Sequence, residues 1–153
     1  MGLSCHDRLH IKWMIETYPD TVQVACAPYN AKTKMLPTDS IFHAIKKHDV
    51  GVFGIKPFTN NSPFKPDSPP DRPTAEEDDK LARMAIRYIL RNPILGAPIP
   101  GLINTDQVNN VVRAVQKRRE LDLAEAKELE EAMDEAWVKL PPHYQRLKDW
   151  EYV

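Results

Sequence analysis

The chain of 153 residues has the length of one domain, and its 42% hydrophobic and 28% charged residues are ordinary for a folded soluble protein. Its formal net charge of −1 offers no electrostatic attraction for nucleic acid or for an anionic membrane. No apolar run approaches the roughly 20 residues that span a bilayer, and the N-terminus lacks the apolar core of a signal peptide. We therefore expect a cytoplasmic protein that binds neither nucleic acid nor membrane.

The two cysteines, Cys5 and Cys26, lack the CxxC spacing of a metal or redox motif. They could form a disulfide, or join His6 and His10 at a metal ion. Free thiols in a reducing compartment are the simpler interpretation. The sequence therefore predicts no metal site.

The first part of the chain alternates short β-like runs with helical spacing. Residues 2–4 resemble the end of a strand, and apolar residues at helical intervals predict a helix over 10–18. The apolar run at 22–26 predicts a buried strand, after which Pro28 opens a polar loop. A second helix carries its apolar residues between Ile41 and Ile45.

The second part repeats the alternation. A β-like run at 50–55 leads into a proline-rich loop at 56–73, and the pair Thr74 and Glu77 has the spacing of a capping box. The helix that follows ends at Asn92-Pro93, and a short strand follows at 97–99. Asn104 or Thr105 can cap a helix that carries four valines, and a last helix is predicted over 122–140. The valines are Val108, Val111, Val112 and Val115.

Strands that alternate with helices of this length are typical of βαβ units and a parallel sheet. The strands are continuous apolar runs, as expected for strands covered on both faces. The fold class predicted from the pattern is therefore α/β.

Four segments resemble a known family in order and spacing. They are GLSCHD at 2–7, VQVACAPYN at 22–30, VGVFGIKPF at 50–58 and PIPGLINTDQVNNV at 98–111. They are similar to barrel strands five to eight of the aldo/keto reductases. The resemblance implies half of a TIM-type (β/α)8 barrel: about four parallel strands with flanking helices, plus an extra C-terminal helix. It implies that residues 1–153 form a single half-barrel domain.

The family's catalytic Asp, Tyr, Lys and His lie on barrel units two to four, which have no counterpart in this sequence. The tyrosine donates a proton to the carbonyl oxygen, and without it the alkoxide formed by hydride transfer lacks its acid. The resemblance therefore implies no catalytic residue here and no reductase activity for the isolated chain. Tyr29 follows the second predicted strand, but no lysine or aspartate is placed to lower its pKa, so we interpret it as a packing residue.

The resemblance also implies where NADP(H) would bind, if weakly. Ser4 stands where the family grips the nicotinamide carboxamide, although Cys5 replaces its asparagine neighbour. Gln23 matches a glutamine that contacts the same group; a buried glutamine bonded to the backbone is the alternative. Ile55 replaces a stacking tyrosine, and Lys56 could reach a phosphate.

At the adenosine end, the loop after the fourth strand would supply backbone amides beside a helix N-terminus. The candidate residues there are Gly101, Leu102, Asn104, Gln107 and Asn110. Gln107 stands where the family has Arg or Gln, whereas Asn110 occupies a usually acidic position. These departures weaken the expected affinity for NADP(H).

A half-barrel has two open strand edges and one uncovered sheet face, which predicts association. A homodimer, a complementary N-terminal half-barrel, or a helix folded over the face would each cover it. Three functions stay open: a non-catalytic, self-associating half-barrel, an oxidoreductase component that needs the complementary half, and a residual NADP(H)-binding module.

Overall fold

Parallel strands and helices alternate along the chain in the computed structural model, which describes residues 1–33, 35–59, 75–117, 119–140 and 142. The elements are β1 (Gly2–Ser4), α1 (Arg8–Thr17), β2 (Val24–Pro28), α2 (Ile41–Lys47), β3 (Gly51–Ile55), α3 (Ala75–Leu90), β4 (Leu95–Ile99), α4 (Thr105–Gln116) and α5 (Leu123–Val138). In these ranges no helix has the length and apolarity that crossing a membrane requires. Most of the predicted loop at 56–73, together with Thr74 of the predicted capping box, lies outside the described residues.

The four strands form one parallel sheet in the order β1-β2-β3-β4, which is also their order in the chain. The predicted parallel α/β fold is therefore confirmed. The second strand lies two residues later than predicted, at Val24–Pro28 rather than 22–26, although Val22 is buried. The fourth strand begins earlier than predicted, at Leu95. It contains Pro98, which is tolerated because β4 is an edge strand of the described sheet.

The two faces of the sheet differ in what covers them. In β3, Val52 and Gly54 are buried beneath the helices, whereas Phe53 between them is 39% exposed. Successive side chains of a strand point to opposite faces, so Phe53 marks the face that bears no helix among the described residues. Its register partners on that face are Cys26 and Ala97. Continuous apolar strands are typical of two covered faces, whereas the described part of the chain covers one, as the resemblance to a half-barrel implies.

Side-chain caps fix where the helices begin. Asp7 accepts a hydrogen bond from the backbone N–H of His10 at 3.0 Å, so α1 starts two residues before the predicted position. Ser40 caps α2 in the same way. Asp122 and Glu125 form a reciprocal capping box at α5, and acidic residues occupy the first turn of α3 as predicted.

Two clusters of buried residues form the core, both on the helix side of the sheet. One joins α1 and α2 to the strands, with Ile11, Ile15 and Phe42 as members. The other joins α3, α4 and α5 around Met84 and Met133. Three of the four valines predicted for the face of α4 are exposed, and the buried residues of that helix are Asn110 and Ala114.

A buried ion pair attaches the C-terminal helix to the rest. Arg87 of α3, only 2% exposed, donates to both carboxylate oxygens of Glu125 at 2.7 and 2.9 Å, and to the carbonyl oxygen of Glu120 at 2.5 Å. The hydrogen bonds to Glu125 raise the pKa of Arg87 above its ordinary value. Because the guanidinium of Arg87 is removed from water, the folded state depends on these acceptors to compensate its charge.

Glu125→Ala should lower the free energy of unfolding by about 2–3 kcal/mol, because it leaves the buried guanidinium of Arg87 without its carboxylate. Glu131→Ala is the matched control, since Glu131 makes only an exposed contact with Lys127 at 3.5 Å. That variant should stay within about 0.5 kcal/mol of the wild type. Denaturant titration measures both, and equal losses would contradict the role given to Glu125.

Candidate functional site

The carboxyl ends of the strands share one edge of the sheet, where ligands bind in barrels of this type. Ser4 ends β1 and is exposed, and Lys56 follows β3 directly. Gly101, Leu102 and Asn104 lie in the loop between β4 and α4. Most of the predicted cofactor residues therefore lie at this edge.

Gln23 lies elsewhere, and its predicted position inside a buried strand is wrong. It immediately precedes β2 and is exposed, at the amino edge of the sheet. Its side-chain oxygen accepts a hydrogen bond from the N-terminal ammonium of Met1 at 3.0 Å, and its backbone N–H donates to the carbonyl oxygen of Met1 at 2.8 Å. Since strands rise about 3.3 Å per residue, Gln23 is separated from the carboxyl edge by most of the length of β2.

Lys56 has an unusual backbone conformation for its residue type. Its φ of 59° lies in the left-handed region, and Thr59 follows with a φ of 49°. The N–H of Thr59 donates to the carbonyl oxygen of Lys56 at 3.1 Å, which closes a tight turn after β3. Non-glycine residues in this region cost roughly 1–3 kcal/mol each, and such strain is concentrated at functional sites. Asp49, at the amino end of β3, has a φ of 53° as well, so this conformation does not by itself mark a site.

Intramolecular hydrogen bonds occupy several N–H groups of the loop between β4 and α4 and of the start of α4. Asn104 caps α4 by accepting from the N–H of Gln107 at 2.9 Å, as predicted for the cap. The side-chain oxygen of Gln107 turns back and accepts from the N–H of Ile103 at 2.9 Å, while the N–H of Leu102 donates to Pro100. A bound anion would have to displace these acceptors.

Gly101 is not required by the backbone. Its φ is not in the left-handed region, and a Cβ placed on it would have no heavy atom within 4 Å. An alanine would fit there without strain. The glycine could still permit close approach of a ligand, but loop closure does not explain it.

Asn110 is committed to the interface between α4 and α3. It is 4% exposed; its amide donates to the carbonyl oxygen of Asp79 at 2.9 Å, and its oxygen accepts from Arg83 at 2.6 Å. Gln107 and Asn110 thus have hydrogen-bond partners within the chain, and Gln23 lies at the opposite edge, so these three side chains do not meet at one site. A cofactor role for these residues stays a prediction.

Tyr29 and Arg8 are two of the buried residues with polar groups near this edge, in addition to Asn30 and Thr59. Tyr29 is 5% exposed, its ring packs edge-on against Phe42, and its hydroxyl accepts from the side chain of Asn92 at 2.8 Å. Burial raises the pKa of the Tyr29 hydroxyl, against a smaller lowering by the hydrogen bond from Asn92. A catalytic tyrosine needs the opposite shift, so packing is the better interpretation.

Sequence reasoning did not identify Arg8 as a buried residue. Its guanidinium donates to the carbonyl oxygen of Pro28 at 2.6 Å and to the hydroxyl of Thr33 at 3.1 Å, and lies 5.4 Å from the centre of the Phe42 ring. A cation in the first turn of a helix opposes the helix dipole, which is the signal that could have identified it.

The two thiols are free in this structure, and the described residues contain no group of three or more metal-ligating side chains. Cys5 and Cys26 lie on neighbouring strands, where the N–H of Cys5 donates to the carbonyl oxygen of Cys26 at 3.3 Å.

Comparison with solved structures identifies the architecture. The apo form of aldo-keto reductase AKR11C1 from Bacillus halodurans aligns with a TM-score of 0.55 and 20% identity, over 86% of this chain and 50% of that chain. Its holo form gives a TM-score of 0.56 and 19% identity, over 86% and 49%. This chain has the fold of half an aldo-keto reductase. It spans about half the length of those enzymes. No protein-family model matches the sequence, and a search of curated proteins found no match.

Tyr29→Phe should reduce the loss of stability at alkaline pH. The raised pKa of Tyr29 means that its contribution is fully present below the ordinary value of about 10 and is lost as pH rises through the folded-state pKa. The variant should also lose about 1 kcal/mol at neutral pH, because Asn92 loses its acceptor. Denaturant titrations at neutral and alkaline pH measure both effects. If the free energy of unfolding of the variant falls with alkaline pH as steeply as that of the wild type, Tyr29 does not have a raised pKa in the folded state.

Proposed function

We propose that this chain is a non-catalytic half-barrel that works by association and carries out no NADP(H)-dependent carbonyl reduction on its own. The observation that carries the proposal is Phe53, a large apolar side chain that is 39% exposed in the middle of a parallel sheet. In a closed barrel this face is filled by side chains from all the strands. A face of this kind is stable in water when another surface covers it.

The chemistry of the described residues supports the absence of reductase activity. Hydride transfer to a carbonyl needs an acid beside the developing alkoxide. Tyr29 belongs to the core on the helix side of the sheet, and its pKa is raised by burial. Ser4 and Lys56 remain near the carboxyl edge, but a hydroxyl and an ammonium without a tuned proton donor do not replace the tetrad.

A second candidate is an oxidoreductase component that acts only with a complementary N-terminal half. The observation that favours it is that the chain spans about half the length of the solved reductases. A residual NADP(H)-binding module is the weaker alternative, because Gln107 and Asn110 already have intramolecular partners. We propose a cytoplasmic location, because two free thiols are compatible with a reducing compartment.

Titration with NADPH separates these candidates. We expect no saturable quenching of tryptophan fluorescence, no energy transfer to the nicotinamide, and no oxidation of NADPH with aldehyde substrates. Gln107→Ala releases the N–H of Ile103, so it is the variant in which a dormant phosphate site would become visible.

Saturable binding of NADPH by the wild type would contradict the proposal that the cofactor site is lost, if Lys56→Ala weakens the binding and Lys139→Ala leaves it unchanged. Lys139 is the control because it lies at the end of α5 and pairs with Glu135. Turnover of NADPH by the isolated chain would overturn the whole proposal, whereas turnover only after addition of an N-terminal half-barrel would support the second candidate.

A further inference from the structure

An exposed valine stripe runs along α4. We use this name for Val108, Val112 and Val115, which are 46%, 44% and 57% exposed. Asn110 bonds to α3, and with about 100° between successive residues of a helix the stripe lies on the opposite side of α4. Since β4 is the last strand of the sheet, this side of α4 points beyond the β4 edge.

A second apolar surface lies at the other end of the sheet, on α1. We call it the Trp13 patch: Leu9, His10, Trp13 and Tyr18, all exposed, with Trp13 at 53%. The ring of Trp13 lies 5.7 Å from that of His10 and 6.1 Å from that of Tyr18. Lys12 on the other side of the helix pairs with Asp39, beside the start of α2. The patch therefore borders the side of α1 that has no described neighbour.

The open sheet face alone is too small for a stable interface. Four strands about 4.8 Å apart, each about five residues long, present roughly 300 Å² in projection. Specific interfaces cover roughly 800 Å² on each partner. We therefore expect a stable assembly to cover helix surfaces at the two edges as well as the face around Phe53.

We propose that a second copy of this chain closes the barrel, with the valine stripe of each copy packed beside the Trp13 patch of the other. This rests on the proposed function. A twofold axis along the barrel axis keeps all eight strands parallel and places β4 of each copy beside β1 of its partner. Each copy has one edge of each kind, so the arrangement leaves no edge unpaired.

Side-chain size and charge suit this partner. Phe53 has only the small Cys26 and Ala97 as register partners, and the twofold axis places the Phe53 of the second copy across the barrel to fill the space above them. Aromatic side chains of the Trp13 patch meet β-branched valines, a favourable combination at interfaces. A formal net charge of −1 on each copy gives little mutual repulsion.

The decisive experiment is a charge-swap complementation followed by sedimentation velocity of the full chain. The wild type should sediment as a dimer over a wide range of concentration. Val112→Lys and Trp13→Glu should each raise the dimer dissociation constant by at least about tenfold, because each places two unpaired charges in the assembly. Val138→Lys is the matched control, since Val138 is 78% exposed on α5 and belongs to neither the valine stripe nor the Trp13 patch, and this variant should remain dimeric.

An equimolar mixture of Val112→Lys and Trp13→Glu should restore the dimer. In a dimer of one copy of each variant, one contact between a valine stripe and a Trp13 patch is wild type. The other contact brings the substituted lysine beside the substituted glutamate, and these opposite charges attract. A size tag on one variant identifies the mixed species, and circular dichroism verifies that both variants are folded.

A wild type that is monomeric at every concentration overturns the inference. A mixture that stays monomeric overturns the pairing of the two edges even if the wild type dimerises. These outcomes are independent of NADPH turnover, which tests the proposed function, so failure of one can be distinguished from failure of the other.

Discussion

The hydrogen bonding of a parallel sheet is the constraint from which the other features of this molecule follow. Each parallel strand must be reached by a crossover, and the right-handed crossovers of βαβ units place their helices on the same face of a barrel sheet. The other face is covered only when the sheet closes on itself. With four strands in sequential order, closure is incomplete in the described chain, and Phe53 lies on the face that remains open.

The same constraint explains how the polar residues are used. The helix side of the sheet contains the core, and its buried polar groups are taken up in holding helices together: Arg87 with Glu125, Asn110 with Arg83, Tyr29 with Asn92. Side chains that would otherwise be free to contact a ligand therefore have partners within the fold. At the β4–α4 loop the glutamine that resembles a phosphate ligand instead completes a helix cap.

Much of the fold could be predicted from local sequence, because periodicity and caps are local properties. The helices around Ile11 and Ile41, and a cap at Asn104 or Thr105, follow from patterns within a few residues, whereas the order of the four strands was implied by the family resemblance. The limits of β2 could not be predicted in this way. A strand shifted by two residues has nearly the same apolar pattern, but the shift leaves Gln23 outside the strand.

Long-range pairing was beyond the sequence for a different reason. The valine pattern of α4 predicts a buried face, but which side of a helix is buried depends on where its neighbours lie. Asn110 bonds to residues about thirty positions earlier in the chain, a relation that no local pattern encodes. Ser4 and Lys56 lie at the carboxyl edge as the resemblance implies, and their role there stays a prediction. The hydrogen-bond partners of Gln107 and Asn110 could be found only from the structure.

The identity of strand order and chain order has a consequence for how the molecule assembles. Every strand pairs with its neighbour in sequence, so each closure within the sheet spans a single crossover connection. A full-length barrel adds one distant closure between its first and last strands. In a barrel completed by two copies, that slow intramolecular step becomes an encounter between molecules. Its rate then depends on the concentration of folded halves rather than on the length of the chain.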